Sequence, residues 1–161
     1  MHTLFQTVRS VSALAVVAGM LSCVACSAAS AQGMRVAPDT CPKQLQHRSP
    51  EQVLEAHLAA FRSGNAALMA CDYAKDAVLM LPGSVAQGPD QIQAVFAGFF
   101  QAAGALNSLT ITSTTVQGGA ILMTYKIDSE HILVSDGVDT FVIEKGRIVL
   151  QAGSLGGLTI R

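Results

Sequence analysis

The sequence has few charged residues and no concentration of positive ones. Only 13% of its 161 residues are charged, and 10 basic residues nearly balance 11 acidic ones. No run of Lys and Arg is present, which argues against a nucleic-acid partner, because such partners select clustered positive charge. No glycine-rich phosphate loop follows a predicted strand, so the sequence gives no reason to expect a nucleotide or a redox cofactor. The composition is typical of one globular domain with a short extension.

Cysteines and histidines are also few. Cys23 and Cys26 lie in an N-terminal apolar stretch, which leaves Cys41 and Cys71 for the folded domain. If the domain is exported, as the next paragraph predicts, the two cysteines indicate a disulfide bond between Cys41 and Cys71. Two free buried thiols are the alternative. The three histidines beyond the apolar stretch show no ligand spacing with either cysteine, so no metal site is predicted.

The N-terminal stretch has the layout of a secretory signal. A short basic start precedes the apolar, small-residue run Val11–Cys26, and the small residues A-S-A end at Ala31. This pattern predicts a signal peptide over residues 1–31, cleaved after Ala31, and export to the periplasm or the medium. The alternatives are an uncleaved transmembrane anchor and a lipoprotein lipidated at Cys23 or Cys26. After cleavage of the signal, we expect the mature protein to attach to a membrane only if it is lipidated at one of these cysteines.

Three helices are predicted after a linker of residues 32–48, at the start of a domain spanning 49–161. Ser49-Pro50-Glu51-Gln52 is typical of a helix start, because Ser and Gln form a capping box and Pro suits the first turn. A second helix begins after Asn65, with Tyr73 on its apolar side, and a third runs from Gly88 to Gly104. The inward face of the first helix comprises Val53, Leu54, His57, Leu58 and Phe61.

The rest of the chain has the two-residue period of strands. Strands are predicted at Asp76–Leu81, Ser108–Val116 and Ala120–Asp128, with a turn at Ser135–Gly137 and two more strands around Lys145-Gly146. The order α-α-β-α-β-β-β-β predicts an α+β fold in which three helices pack on one face of a curved, mostly antiparallel sheet.

Asp139 is a carboxylate inside an apolar, β-branched run. Alternation along the strand places Asp139 on the same face as Phe141 and Ile143, which is the inward face. A carboxylate in apolar surroundings needs a partner or takes up a proton. We therefore expect Asp139 to be a polar group at the edge of the core.

Residues 49–157 resemble the nuclear transport factor 2-like superfamily, and within it the polyketide-cyclase-like and ketosteroid-isomerase-like proteins. The resemblance implies a cone-shaped fold with an apolar pocket at its open end, and a homodimer formed through the exposed sheet face. It rests on four segments in the family's order: Ala59–Asn65, Tyr73–Val78, Gly88–Phe96, and Val138–Phe141 together with Gly146–Ile148.

The resemblance assigns roles one residue at a time. Ketosteroid isomerases use a general base together with a Tyr and a protonated Asp that hold an oxyanion. Asp139 is similar in position to that Asp, and His57 stands where the Tyr is expected. The base falls on Leu81, which cannot accept a proton. Tyr73 and Phe96 match aromatic positions that face the pocket.

Three functions follow as hypotheses. The leading one is an exported protein that binds a small apolar molecule in a pocket closed by Asp139 and His57. The second is an isomerase, cyclase or dehydratase acting next to a carbonyl, with His57 as acid or base and Asp139 orienting it. The third is a non-catalytic dimerisation module, in which the sheet face forms the dimer and the pocket is filled by the protein's own side chains. As an alternative to any role in the pocket, His57 is a core histidine hydrogen-bonded to the backbone and Asp139 caps a turn or a helix end. The predicted pocket wall comprises Tyr73, Leu81, Phe96 and Phe141.

Overall fold

The structure is a computed structural model that describes residues 40–161. The predicted signal peptide, its cleavage site and the candidate lipidation sites Cys23 and Cys26 lie outside these residues. Within the described range, no helix is long and apolar enough to cross a membrane.

The three predicted helices are present, and their ends carry the expected signals. The Ser49 hydroxyl accepts a hydrogen bond from the Gln52 amide nitrogen, and the Gln52 side chain accepts one from Ser49, which completes the capping box. Asn65 caps the second helix, and Gly104 ends the third in a positive-φ conformation. The helices are α1 (Pro50–Arg62), α2 (Ala66–Cys71) and α3 (Gly88–Ala103).

One mixed sheet contains the strands of residues 40–161. Its order is β2-β1-β6-β5-β4-β3, and β7 pairs with β5. The β1–β6 pair is parallel and the other pairs are antiparallel, which confirms the α+β fold with a mostly antiparallel sheet. Register shifts in several of these pairs bend the strands, as bulges do, and curve the sheet around α1 and α3. The strands are β1 (Tyr73–Leu81), β2 (Ser84–Gln87), β3 (Leu106–Gln117), β4 (Ala120–Ser129), β5 (Ile132–Glu144), β6 (Arg147–Gly156) and β7 (Thr159–Ile160).

Two local predictions are wrong. Tyr73 begins β1 instead of extending the apolar side of α2, because that helix ends at Cys71. The expected turn at Ser135–Gly137 lies inside β5, where Gly137 pairs with Tyr125 of β4. A Cβ atom on Gly137 would lie 2.3 Å from the Tyr125 ring. This glycine therefore makes room for an aromatic ring and does not reverse the chain.

Strands β2 and β7 were not predicted. Of the four residues of β2 only Ala86 is buried, and both residues of β7 are exposed. Neither segment shows the alternation of apolar and polar residues over four or more positions that identifies a strand in a sequence.

Residues 40–48, predicted as a linker, pack onto the domain. A disulfide bond joins Cys41 to Cys71 at the end of α2, with the two Cα atoms 5.3 Å apart. Leu45 is buried, and the Arg48 guanidinium donates a 2.9 Å hydrogen bond to the carbonyl of Gly146. Residues 40–48 are therefore packed and hydrogen-bonded as part of the domain.

Candidate functional site

A cavity of about 80 Å³ lies between the curved sheet and helices α1 and α3. Most of its wall is aliphatic or aromatic, and its polar groups come from four side chains: His57, Tyr125, Asp139 and Gln151. The other lining residues are Leu58, Phe61, Leu79, Leu81, Val95, Phe96, Phe99, Leu109, Met123, Ile127, Phe141 and Leu155.

The structure brings most of the predicted site residues to this cavity. His57 and Asp139 line it, as do Leu81, Phe96 and Phe141. Tyr73 is buried behind the wall. It contacts the ring of His57 edge-on, with the ring centroids 5.6 Å apart.

Asp139 lies on the buried face of β5. Its neighbours Phe141 and Ile143 on the same face are also buried, so the predicted alternation is confirmed. Burial raises the pKa of Asp139 from 3.8 to about 7, although hydrogen bonds from Gln151 and Tyr125 lower it. The carboxyl group is therefore partly protonated near neutral pH, and it can both donate and accept a hydrogen bond.

A chain of hydrogen bonds holds this carboxyl group. The Tyr73 hydroxyl donates to the side-chain oxygen of Gln151, which leaves the Gln151 amide to donate to Asp139. The Tyr125 hydroxyl is the second donor to Asp139. Burial, together with the negative charge of Asp139, raises the pKa of both tyrosines above its usual value, so both hydroxyls stay protonated.

Sequence reasoning missed Tyr125 and Gln151. Alternation along β4 places Tyr125 on the same face as Met123 and Ile127, so its inward position could have been found. Its partner could not, because Tyr125 pairs with Gly137 and reaches Asp139 diagonally across the β4–β5 pair, in a register that the sequence pattern does not specify. Gln151 meets Asp139 through the pairing of β6 with β5, which the sequence pattern does not specify.

A glycine makes room for the Asp139 side chain. Gly153 of β6 is the direct cross-strand partner of Asp139. A Cβ atom on Gly153 would lie 1.8 Å from Asp139 Oδ1. Any side chain at this position would thus displace the carboxyl group, which makes Gly153 part of the site.

His57 lies in the middle of α1 and is 3% exposed. Three aromatic rings surround it edge-on, with centroids 5.6 Å away at Tyr73, 5.8 Å at Phe96 and 5.5 Å at Phe141. The aromatic packing fixes the plane of the imidazole and leaves its nitrogen atoms to meet polar groups at the ring edge.

The carboxylate that faces His57 belongs to Asp72 and not, as the sequence predicts, to Asp139. The Nδ1 atom of His57 lies 3.7 Å from Asp72 Oδ2. The other oxygen of Asp72 accepts a 2.7 Å hydrogen bond from Arg48. Asp72 gave no sequence signal, because it sits at the end of a short helix and meets His57 only through the packing of α2 on α1.

Leu81, at the position expected for a general base, adds only apolar surface to the wall. In residues 40–161, no group of three or more His, Cys, Asp or Glu side chains is arranged to hold a metal ion. The cavity can therefore exclude water from an apolar molecule and offer hydrogen bonds from Asp139 and His57. It offers no carboxylate at the position of the isomerase base.

Comparisons with known proteins agree with this architecture. The sequence matches the SnoaL-like domain family over residues 54–151. No curated protein sequence matches the chain.

Solved structures show the same fold at low sequence identity. An NTF2-like protein from Burkholderia xenovorans is 17% identical, covers 70% of this chain and 87% of its own, and has a TM-score of 0.58. A protein with a ketosteroid isomerase-like fold from Catenulispora acidiphila, in complex with trimethylamine, is 13% identical, covers 66% and 86%, and has a TM-score of 0.58. An LEH-like epoxide hydrolase from M. tuberculosis is 19% identical, covers 65% and 80%, and has a TM-score of 0.53. The chain belongs to the SnoaL-like family and has the nuclear transport factor 2-like fold.

Proposed function

We propose that this protein binds a small, mostly apolar molecule in the cavity, with Asp139 and His57 as the polar groups that contact it. The observation that carries the proposal is an apolar wall on which a few polar side chains converge, which is the usual chemistry of a ligand site. The cavity volume of about 80 Å³ is well below the roughly 300–1,000 Å³ of sites for drug-sized ligands. The ligand is accordingly small.

The state of Asp139 supports a ligand with an oxygen or nitrogen atom at one end. A protonated carboxyl group donates a hydrogen bond to such an atom, and its partners Gln151 and Tyr125 hold it in place. A relative of the same fold forms a complex with trimethylamine, which is a small molecule with one polar atom. The proposal includes export after cleavage following Ala31 and assembly as a homodimer.

An enzyme is the second candidate. A buried carboxyl group with a pKa of about 7 and a histidine beside the same cavity are what an isomerase, cyclase or dehydratase acting next to a carbonyl requires. In that case Asp139→Asn and His57→Ala abolish turnover without unfolding the protein. The candidate is excluded if both variants turn over substrate at the normal rate. A pure interaction module, the third hypothesis, requires a cavity filled by its own side chains.

A matched pair of tryptophan variants tests the binding proposal. Leu109 of β3 lines the cavity, whereas Leu122 of the neighbouring strand β4 is 47% exposed and is not among the lining residues. Trp is well tolerated in strands. We expect Leu109→Trp to fill the cavity and weaken binding of the probe cyclohexanone by roughly tenfold or more, and Leu122→Trp to leave it unchanged.

Binding is measured by NMR titration of the exported protein with cyclohexanone. Saturable shifts at cavity residues in the parent and in Leu122→Trp, lost in Leu109→Trp, support the proposal. Equal binding by all three proteins, or no saturable shift in the parent, contradicts it. Native mass spectrometry of the same sample reports the mature mass, the oligomer and any retained molecule.

A further inference from the structure

One nitrogen atom of His57 has no hydrogen-bond partner among the described residues. Nδ1 is buried, and the nearest acidic oxygen, Asp72 Oδ2, is 3.7 Å away, beyond hydrogen-bond distance. Buried polar atoms are almost always paired, so an unpaired one on a residue that lines a cavity indicates a functional arrangement.

Asp72 is held firmly in its place beside His57. Its Oδ1 accepts the 2.7 Å hydrogen bond from Arg48, and its backbone carbonyl accepts a 2.9 Å bond from Ile148. Arg48 is itself bonded to the carbonyl of Gly146. The disulfide bond at the neighbouring Cys71 ties the segment that carries Arg48 to the same corner of the domain. The Asp72 carboxylate consequently has one oxygen committed to Arg48 and the other directed at His57.

We infer that Asp72, fixed by Arg48, is a positioning residue that keeps the proton of His57 on Nδ1 and makes Nε2 the hydrogen-bond acceptor of the cavity. A carboxylate oxygen accepts and never donates, so the nitrogen that faces it is the one that carries the proton. His57 lines the cavity while its Nδ1 atom is buried beside Asp72, so Nε2 is the nitrogen left to face the cavity, and it is then the unprotonated one. The inference rests on the proposed function, because it assigns the cavity a ligand that offers an O–H or N–H group to His57.

Replacing Asp72 by Asn makes the inference testable. Arg48 donates to the oxygen at this position, so an Asn side chain would keep its oxygen toward Arg48 and turn its NH₂ group toward His57. A facing NH₂ group requires an unprotonated Nδ1. We therefore expect Asp72→Asn to invert the tautomer and move the proton to Nε2, changing the ratio of the two forms by roughly tenfold or more.

The tautomer is read by two-dimensional NMR from the nitrogen shifts of the neutral imidazole, in the protein without added ligand. The matched control is Asp128→Asn, which removes a carboxylate from an exposed pair with Arg161 and leaves His57 untouched. Protonated Nδ1 in the parent and the control, with inversion in Asp72→Asn, is the expected result. An Nε2–H form in the parent overturns the inference, and this holds even if the variant fails to fold. An unchanged tautomer in a folded Asp72→Asn also overturns it.

A second variant separates positioning by Arg48 from simple proximity of Asp72. In the double variant Arg48→Met with Asp72→Asn, the amide at residue 72 loses the donor that orients it, because a Met side chain has no N–H group. We expect the inversion to weaken, whereas full inversion without Arg48 contradicts the role given to it. Because the tautomer is measured without a ligand, a result that overturns the role of Asp72 does not affect the conclusion drawn from cyclohexanone binding. A failure of cyclohexanone to bind likewise leaves the tautomer result intact.

Discussion

At the scale of single residues, the position of Asp139 depends on the hydrogen atom that Gly153 has in place of a side chain. We predict that Gly153→Ala displaces the carboxyl group and lowers the free energy of unfolding by about 1–3 kcal/mol, the range for overpacking a well-packed site. Urea denaturation measures the change.

Gly98→Ala is the matched control for this substitution. Gly98 lies in α3 with open space around its Cα, and Ala is the better helix former by up to about 1 kcal/mol. The control is expected to be neutral or stabilising. An equal free energy of unfolding for Gly153→Ala and the parent would contradict the prediction, because the Asp139 carboxyl group would then move aside at no cost in stability.

The raised pKa of Asp139 predicts a pH-dependent stability. Between about pH 4 and pH 7 the unfolded chain loses the proton of this residue while the folded protein keeps it, so folded stability falls as the pH rises through this window. Below pH 4 the group is neutral in both states. A shift from 3.8 to about 7 corresponds to a loss on the order of 4 kcal/mol, complete above pH 7.

Asp139→Asn removes this component, because an amide does not ionise. The free energy of unfolding of the variant should rise relative to that of the parent from pH 4 to pH 7, and the difference between the two should stay constant above pH 7. Tyr73 and Tyr125 lie near residue 139 in both proteins, and their raised pKa values keep both hydroxyls protonated across this range. The measurement is chemical denaturation at several pH values. A difference that stays flat from pH 4 to pH 8 would falsify the burial of an ionisable Asp139.

At the scale of elements, the disulfide bond connects residues 40–48 to α2. We predict that replacing both Cys41 and Cys71 by Ser lowers the free energy of unfolding by about 3 kcal/mol, because the bond closes a loop across a separation of 30 residues. Thermal denaturation with and without reductant measures it. Reductant should lower the denaturation temperature of the parent and leave that of the double Ser variant unchanged. A parent that is insensitive to reductant would contradict the prediction.

The sequence predicts the elements that have their own local signals. The capping box at Ser49–Gln52 and the glycine at residue 104 mark helix ends through contacts within a few residues, and the structure confirms both. Ser135–Gly137 is misjudged because its composition is that of a turn, while its conformation is set by the Tyr125 ring on the next strand. A prediction from local sequence fails where a side chain far away in the chain determines the backbone conformation.

At the scale of the whole molecule, the fold class follows from the order of elements, whereas the site follows only in part. His57 and Asp139 are recognisable as polar residues on apolar faces. Their partners are not recognisable, because Asp72 reaches His57 through helix packing and Gln151 reaches Asp139 through strand register. A polar residue in a core can thus be predicted from one stretch of sequence. Its partner requires the three-dimensional arrangement.

The parallel pairing of β1 with β6 has a consequence for the order in which the chain can fold. β1 comprises residues 73–81, and β6 comprises residues 147–156. β1 has β2 on one side and β6 on the other, so one of its two hydrogen-bonding edges stays unpaired until β6 joins it. Closing so long a loop is entropically slow. A partly folded chain in which β6 has not yet docked therefore exposes an unpaired edge of β1, to which a strand of another chain can add.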